Sequence, residues 1–123
     1  MRVNLSDSEW KLMNRLWEQS PRTIMELTAA VKDDTGWSKN TVITMLSRLE
    51  AKGAVRHQEG GKAKLYFPAI LRDDAILTET ESFLHRVGGF ASLVNAMVSG
   101  NALTEKDIAE LSELLRKKEE DLP

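Results

Sequence analysis

Apolar residues recur at intervals of three and four along most of this chain, and at intervals of two in one stretch. Trp10, Met13, Leu16 and Trp17 predict a first helix running to about Gln19. Ser6-Asp7-Ser8-Glu9 supplies its capping box, with Leu5 placed to staple against Trp10. Both tryptophans are expected in the core. Ile24, Leu27 and Val31 make the face of a second helix. Ser20-Pro21 reads as its N-cap and first position, with Thr23 and Glu26 as a competing capping box. Asp33-Asp34-Thr35-Gly36 reads as a solvated loop. A third helix is expected from the Ser38 cap to Lys52, with Gly53 in the left-handed position that ends it. Val42, Met45, Leu46 and Leu49 form its buried stripe. The opposite face carries Asn40, Thr44, Ser47 and Ala51, flanked by Ile43 and Arg48, and Glu50 falls near the edge of the buried side.

Beyond Gly53 the pattern alternates. Residues 54–58 and 64–67 read as two strands joined by Glu59-Gly60-Gly61-Lys62, with Pro68 stopping the second. Three helices followed by a ribbon make a winged helix-turn-helix. From Asp73 the helical period returns. Ile76, Leu77, Thr80, Phe83, Leu84 and Val87 form one stripe, broken by Gly88-Gly89. Phe90, Leu93, Val94, Met97 and Val98 form another, ending near Gly100. Thr104 to Asp107 opens a last helix with core positions Ile108, Leu111, Leu114 and Leu115, and the charged tail from Arg116 is expected to fray. The fold class is therefore mainly α with a small β hairpin. A winged domain spans residues 1–72 and a helical region, read as the dimerisation region, spans 73–123.

The length of 123 residues suits one domain, or one domain with a small appendage, and the chain has no cysteine, which excludes disulfides, thiol nucleophiles and cysteine metal sites. No apolar run is long enough for a membrane span, and no secretory h-region opens the sequence; a cytoplasmic location is expected. The net charge is −2, but it divides unevenly: residues 1–72 hold 12 basic against 8 acidic side chains, and residues 73–123 hold 5 against 11. The first part suits phosphate, and the acidic remainder calls for a different role.

Catalysis finds little support. His57 and His85 are the two histidines. His85 stands four residues after Glu81, as in a surface helix pair, and His57 on the first wing strand suits a solvent or phosphate contact. Gly60-Gly61-Lys62 lacks the rest of a phosphate-binding loop, and no credible zinc set exists. No enzyme activity and no cofactor are expected. The third helix is more informative. A helix entering a major groove presents short polar side chains and keeps carboxylates away from phosphate. Lys39 in the first turn opposes the helix dipole, a cost that nearby phosphate reverses. Arg48, Lys52, Arg56, Lys62 and Lys64 extend the positive charge toward the wing. After position 72, about fifty residues with wide apolar stripes cannot close a good core alone, so they either fold back on the winged domain or pair with a second copy, and pairing is expected.

Particular residues carry a family likeness. Ser8-Glu9-Trp10, Met13-Asn14-Arg15-Leu16-Trp17, Trp37-Ser38-Lys39-Asn40-Thr41-Val42 and Leu46-Ser47-Arg48-Leu49-Glu50-Ala51-Lys52-Gly53 together resemble the penicillinase-repressor family (BlaI/MecI/CopY). So do Phe83-Leu84 and Gly88-Gly89-Phe90-Ala91-Ser92-Leu93-Val94, and the likeness extends over about residues 5–115. It implies a bacterial winged-helix repressor that dimerises through its C-terminal helices on an inverted-repeat operator. It further implies recognition-helix roles for Thr41 and Thr44, and aligns Asn40 with a lysine. Three departures stand out. The cysteine cluster of copper-responsive members is absent. The Asn-Phe bond cut by a sensor protease in β-lactam-responsive members is matched by Ala96 and Met97, within Asn95-Ala96-Met97, the candidate cleavage region. A basic recognition-helix position is Ile43 here.

The expected function is a dimeric repressor of transcription. Its DNA-binding residues would be Ser38, Lys39, Asn40, Thr41, Ile43, Thr44, Ser47, Arg48, Lys52, Arg56, Lys62 and Lys64. Its dimerisation residues would be Ile76, Leu77, Phe83, Leu84, Val87, Phe90, Leu93, Val94, Met97, Ile108, Leu111 and Leu115. The expected partners are double-stranded operator DNA, a second copy and a sensor protease, with no membrane. The alternative is a winged-helix protein-interaction module that does not touch DNA.

Overall fold

The computed structural model describes residues 3–122; the sequence readings that touch Met1, Arg2 and Pro123 lie outside the described residues. The elements follow in the order α1 (Asp7–Glu18), α2 (Ile24–Thr35), α3 (Lys39–Ala51), β1 (Val55–Gly60), β2 (Ala63–Pro68), α4 (Arg72–Val87), α5 (Phe90–Ser99) and α6 (Glu105–Asp121). Helices and hairpin thus appear in the expected order, and the differences lie at their ends.

α1 begins as its capping box requires. The Ser6 N–H donates to Glu9 Oε1 at 2.8 Å, and the Glu9 N–H donates to Ser6 Oγ at 3.2 Å. α2 starts at the competing box instead of at Ser20-Pro21: Thr23 N–H donates to Glu26 at 2.9 Å, and Glu26 N–H to Thr23 Oγ1 at 3.1 Å. The reason is tertiary. Arg22 N–H and C=O pair with Tyr66 C=O and N–H at 3.1 and 2.9 Å, which commits that backbone to an extended bridge beside the wing. The expected loop at Asp33-Asp34-Thr35 is instead the last turn of α2. It is held by Thr35 Oγ1 donating to Val31 O at 2.8 Å and by an ion pair of 3.2 Å between Asp34 and Arg15 on α1. Gly36 closes it at φ 66°, a conformation costly for a side chain bearing Cβ.

The hairpin pairs antiparallel from Val55 opposite Pro68 to Gly60 opposite Ala63. Its turn is therefore two residues, Gly61 and Lys62, shorter than the four expected, because Glu59 and Gly60 continue the ladder. Gly61 supplies the positive φ, 69°, that tight hairpin turns need.

The core joins Leu12, Met13 and Leu16 of α1 to Leu27 and Val31 of α2 and to Val42, Met45, Leu46 and Leu49 of α3. Val3, Leu5, Ala54, Val55, Tyr66 and Ala75 complete it. Trp10 and Trp17, expected inside, are half-buried against this core with ring centroids 5.8 Å apart. An indole N–H needs an acceptor, and Trp17 Nε1 finds Ile70 O at 3.1 Å in the segment between wing and α4.

The chain divides into two units, Met1–Glu81 and Ser82–Pro123. The sequence boundary at 72/73 thus falls at the start of α4, while the division lies inside that helix, and Asp73, Asp74, Glu79 and Glu81 belong to the first unit. In the second unit Gly88 and Gly89 separate α4 from α5 at φ 87° and 105°. Thr104 opens α6 with a capping box to Asp107. α6 does not fray at Arg116: that guanidinium bonds Glu113 at 2.6 Å and also Glu120, spacings that support a helix from its surface. Among the described residues no helix is long and apolar enough to cross a membrane.

Candidate nucleic-acid interface

α3 is anchored on one side and open on the other. Val42, Met45, Leu46 and Leu49 are buried, whereas Lys39, Asn40, Thr41, Ile43, Thr44, Ser47, Arg48 and Ala51 are exposed. Ser38 is the N-cap: its Oγ accepts the Thr41 N–H at 3.3 Å and lies 3.2 Å from Thr41 Oγ1. Ser38 and Thr41 therefore help to fix the start of the helix. Thr44 donates its hydroxyl proton to Asn40 O at 3.0 Å, which leaves its oxygen as an acceptor and its methyl group as an apolar contact.

The basic residues divide into two kinds. Lys39, Arg48, Lys62 and Lys64 are exposed and, among the described residues, enter no ion pair. Arg56 is exposed on the wing with its guanidinium 4.2 Å from the centre of the Phe67 ring, its cross-strand neighbour. Lys52 behaves otherwise. Its Nζ donates to Glu9 Oε1 at 2.5 Å and to Asn4 O at 2.9 Å, tying the end of α3 to the start of α1. Lys52 remains exposed, but part of its charge is neutralised by Glu9.

Sequence reasoning missed that clamp and a second one. Glu9 was legible as a capping residue, but its pairing with Lys52 spans 43 positions and leaves no local trace. Glu50, placed near the buried edge of α3, is exposed and hydrogen-bonded to Nδ1 of His57 on β1. His57, expected to face solvent or phosphate, is thus held between helix and wing.

The expected dimerisation residues fall in both units. Ile76 is half-buried and Leu77 exposed within the first. Phe83, Val87, Phe90, Ile108, Leu111 and Leu115 are exposed in the second, while Leu84, Leu93, Val94 and Met97 are half-buried; none of the ten is buried. Asn95, Ala96 and Met97 lie within α5, so a protease acting there needs that helix opened. Among the described residues no group of three or more histidine, aspartate or glutamate side chains is arranged to hold a metal ion.

This architecture has known counterparts. The family model for the penicillinase repressor matches residues 5–117. The penicillinase repressor of Bacillus licheniformis is 34% identical over 122 residues, covering 94% of this chain and 95% of that protein. The methicillin resistance regulatory protein MecI of Staphylococcus aureus is 28% identical over 116 residues, with 93% and 94% covered. Among solved structures, the DNA-binding domain of the repressor BlaI matches with TM-score 0.54 and 33% identity, covering 60% of this chain and 93% of that one. Monomeric Bacillus licheniformis BlaI in complex with the blaP half-operator gives TM-score 0.53 and 32% identity, covering 60% and 90%. MarR from E. coli, at TM-score 0.50 and 20% identity, covers 97% and 79% and shares the fold. With the family pattern running from the α1 cap into α6, and a relative matched over nearly its whole length, the chain belongs to the penicillinase repressor family.

Proposed function

We propose that this protein is a transcriptional repressor that binds double-stranded DNA with α3 in the major groove and the wing along the backbone. The observation that carries the reading is the open face of α3. Lys39, Asn40, Thr44, Ser47 and Arg48 are exposed on a helix whose other side is locked into the core, in a domain similar to one solved on a half-operator. Short polar groups on a fixed helix suit base edges, and the lysines of the turn and wing suit phosphate.

The functional unit in this reading is a homodimer on an inverted repeat, assembled through the apolar stripes of α4 to α6. Linking two winged domains raises apparent affinity by about 10²–10⁴ without any new contact to DNA. Repression ends when the pairing is opened, by a sensor protease acting near Asn95–Met97 or by another event.

Footprinting on DNA flanking the gene, followed by titration of the protected duplex against salt, tests the proposal. With about six phosphates neutralised per dimer, log K falls against log salt with a slope near −5. Equal affinity for the protected and a scrambled duplex overturns the repressor reading. A flat salt response with tight protein binding favours the interaction-module alternative.

A further inference from the structure

His57 has a carboxylate at each ring nitrogen. Nδ1 is hydrogen-bonded to Glu50 on α3, and Nε2 lies 3.6 Å from Glu59 Oε1 on its own strand. The ring centre is 5.6 Å from that of Tyr66, its cross-strand partner on β2, and Lys64 stands opposite Glu59. A neutral imidazole has one N–H and one lone pair, so it can donate to only one of these carboxylates and turns a lone pair toward the other. The imidazolium has an N–H on each nitrogen, so it donates to Glu50 and turns a positive N–H toward Glu59, at ion-pair distance. The negative field here is also felt by Tyr66, whose hydroxyl is pushed up by burial and then by Glu50 and Glu59. An unprotonated His57 leaves Glu50 without a paired cation among the described residues and Glu59 with only Lys64 opposite it, beside the surface assigned to phosphate.

We propose that His57 is a positioning residue whose protonation joins Glu50 and Glu59 to one cation, fixes the wing against the end of α3, and so couples DNA binding to proton uptake. This rests on the DNA-binding reading above. The sign follows from linkage. Phosphate beside this cluster favours the cationic ring, so the bound form takes up a proton and affinity rises as pH falls, by up to one proton per protomer. A coupling at the lower end of the usual range gives about a fivefold gain.

The test uses the full chain and the footprinted duplex at constant ionic strength, with affinity measured by anisotropy from about pH 8 to 5.5, across the range where imidazole changes charge. The wild type gains at least about fivefold. His57→Gln abolishes the gain, as does the double change Glu50→Gln with Glu59→Gln, which keeps the imidazole and covers the case in which His57→Gln does not fold. His85→Gln retains it. A flat wild-type profile, or an equal gain in His57→Gln, overturns the proposal. Absence of binding at every pH overturns the DNA-binding reading instead. In that event, NMR of the free protein decides the clamp: Glu50 and His57 signals that titrate together support it, and independent titration overturns it.

Discussion

Glu9 serves two contacts with one carboxylate. It is 2% exposed, and it accepts the Ser6 N–H that caps α1 and the Lys52 ammonium that ends α3. Burial pushes its carboxyl up, but the hydrogen bonds from Lys52 and from Ser6, with the Lys52 charge, outweigh that and hold it below the usual range. A depressed folded-state value means that the stabilisation is present above the unfolded carboxylate value of about 4.3 and is lost as pH falls through the folded value. Lys52→Ala is therefore expected to lower stability at neutral pH by about 1–3 kcal/mol, since it leaves a buried carboxylate with the Ser6 N–H but without its cation. It should also flatten the acid limb of the stability profile. Urea melts across the acid range check both outcomes. An unchanged midpoint at pH 7 would show that the clamp contributes nothing.

The helix-turn-helix depends on how α2 stops. Gly36 sits at φ 66° with its N–H on Lys32 O at 2.8 Å, and an added Cβ there meets nothing within 4 Å. The penalty for Gly36→Ala is conformational, not steric, at about 1–2 kcal/mol; Gly36→Asn should cost less, because asparagine tolerates the left-handed region. Comparing urea midpoints of the two variants checks this, and an equal loss would point to a packing defect. In α3, Asn40→Ala should cost about 1–3 kcal/mol of operator binding and relax preference at one base pair in each half-site. Lys62→Ala in the wing turn should weaken all duplexes alike and reduce the salt slope, by about one for each phosphate that is no longer neutralised. Binding to a set of single-base variants at two salt concentrations distinguishes these two behaviours.

At the scale of the molecule, the two units differ in what they bury. The first has a core of large apolar side chains with no solvent contact, Leu12, Met13, Leu16 and Leu27 among them. In the second no described residue is buried, and Phe90, Ile108, Leu114 and Leu115 are each more than half exposed. Such a unit gains little from hydrophobic burial as a single copy. Its helices should therefore melt at a temperature that rises with protein concentration, while the winged unit melts independently of it. A chain ending at Val94 is expected to sediment as a monomer and to bind a full inverted repeat little better than a half-site. If that chain remains dimeric with unchanged affinity, opening the C-terminal pairing is not how repression ends.

Local chemistry in the sequence was sufficient for the caps at Ser6, Ser38 and Thr104, the buried stripe of α3, the hairpin and the glycine break before α5. Each of these depends on groups within a few positions of one another, so the residues that satisfy the backbone stand beside the backbone they satisfy. Contacts across the chain decided the rest. Arg22 pairs with Tyr66 and moves the start of α2 to Thr23, the Trp17 indole N–H reaches Ile70 O, and Lys52 pairs with the buried Glu9. His57 is likewise drawn to Glu50, a helix away from its own strand. The Tyr66 backbone, the Trp17 indole and the Glu9 carboxylate had to find polar partners once burial removed water, and which partner came within reach was settled only when α1, α3 and the wing closed around one core.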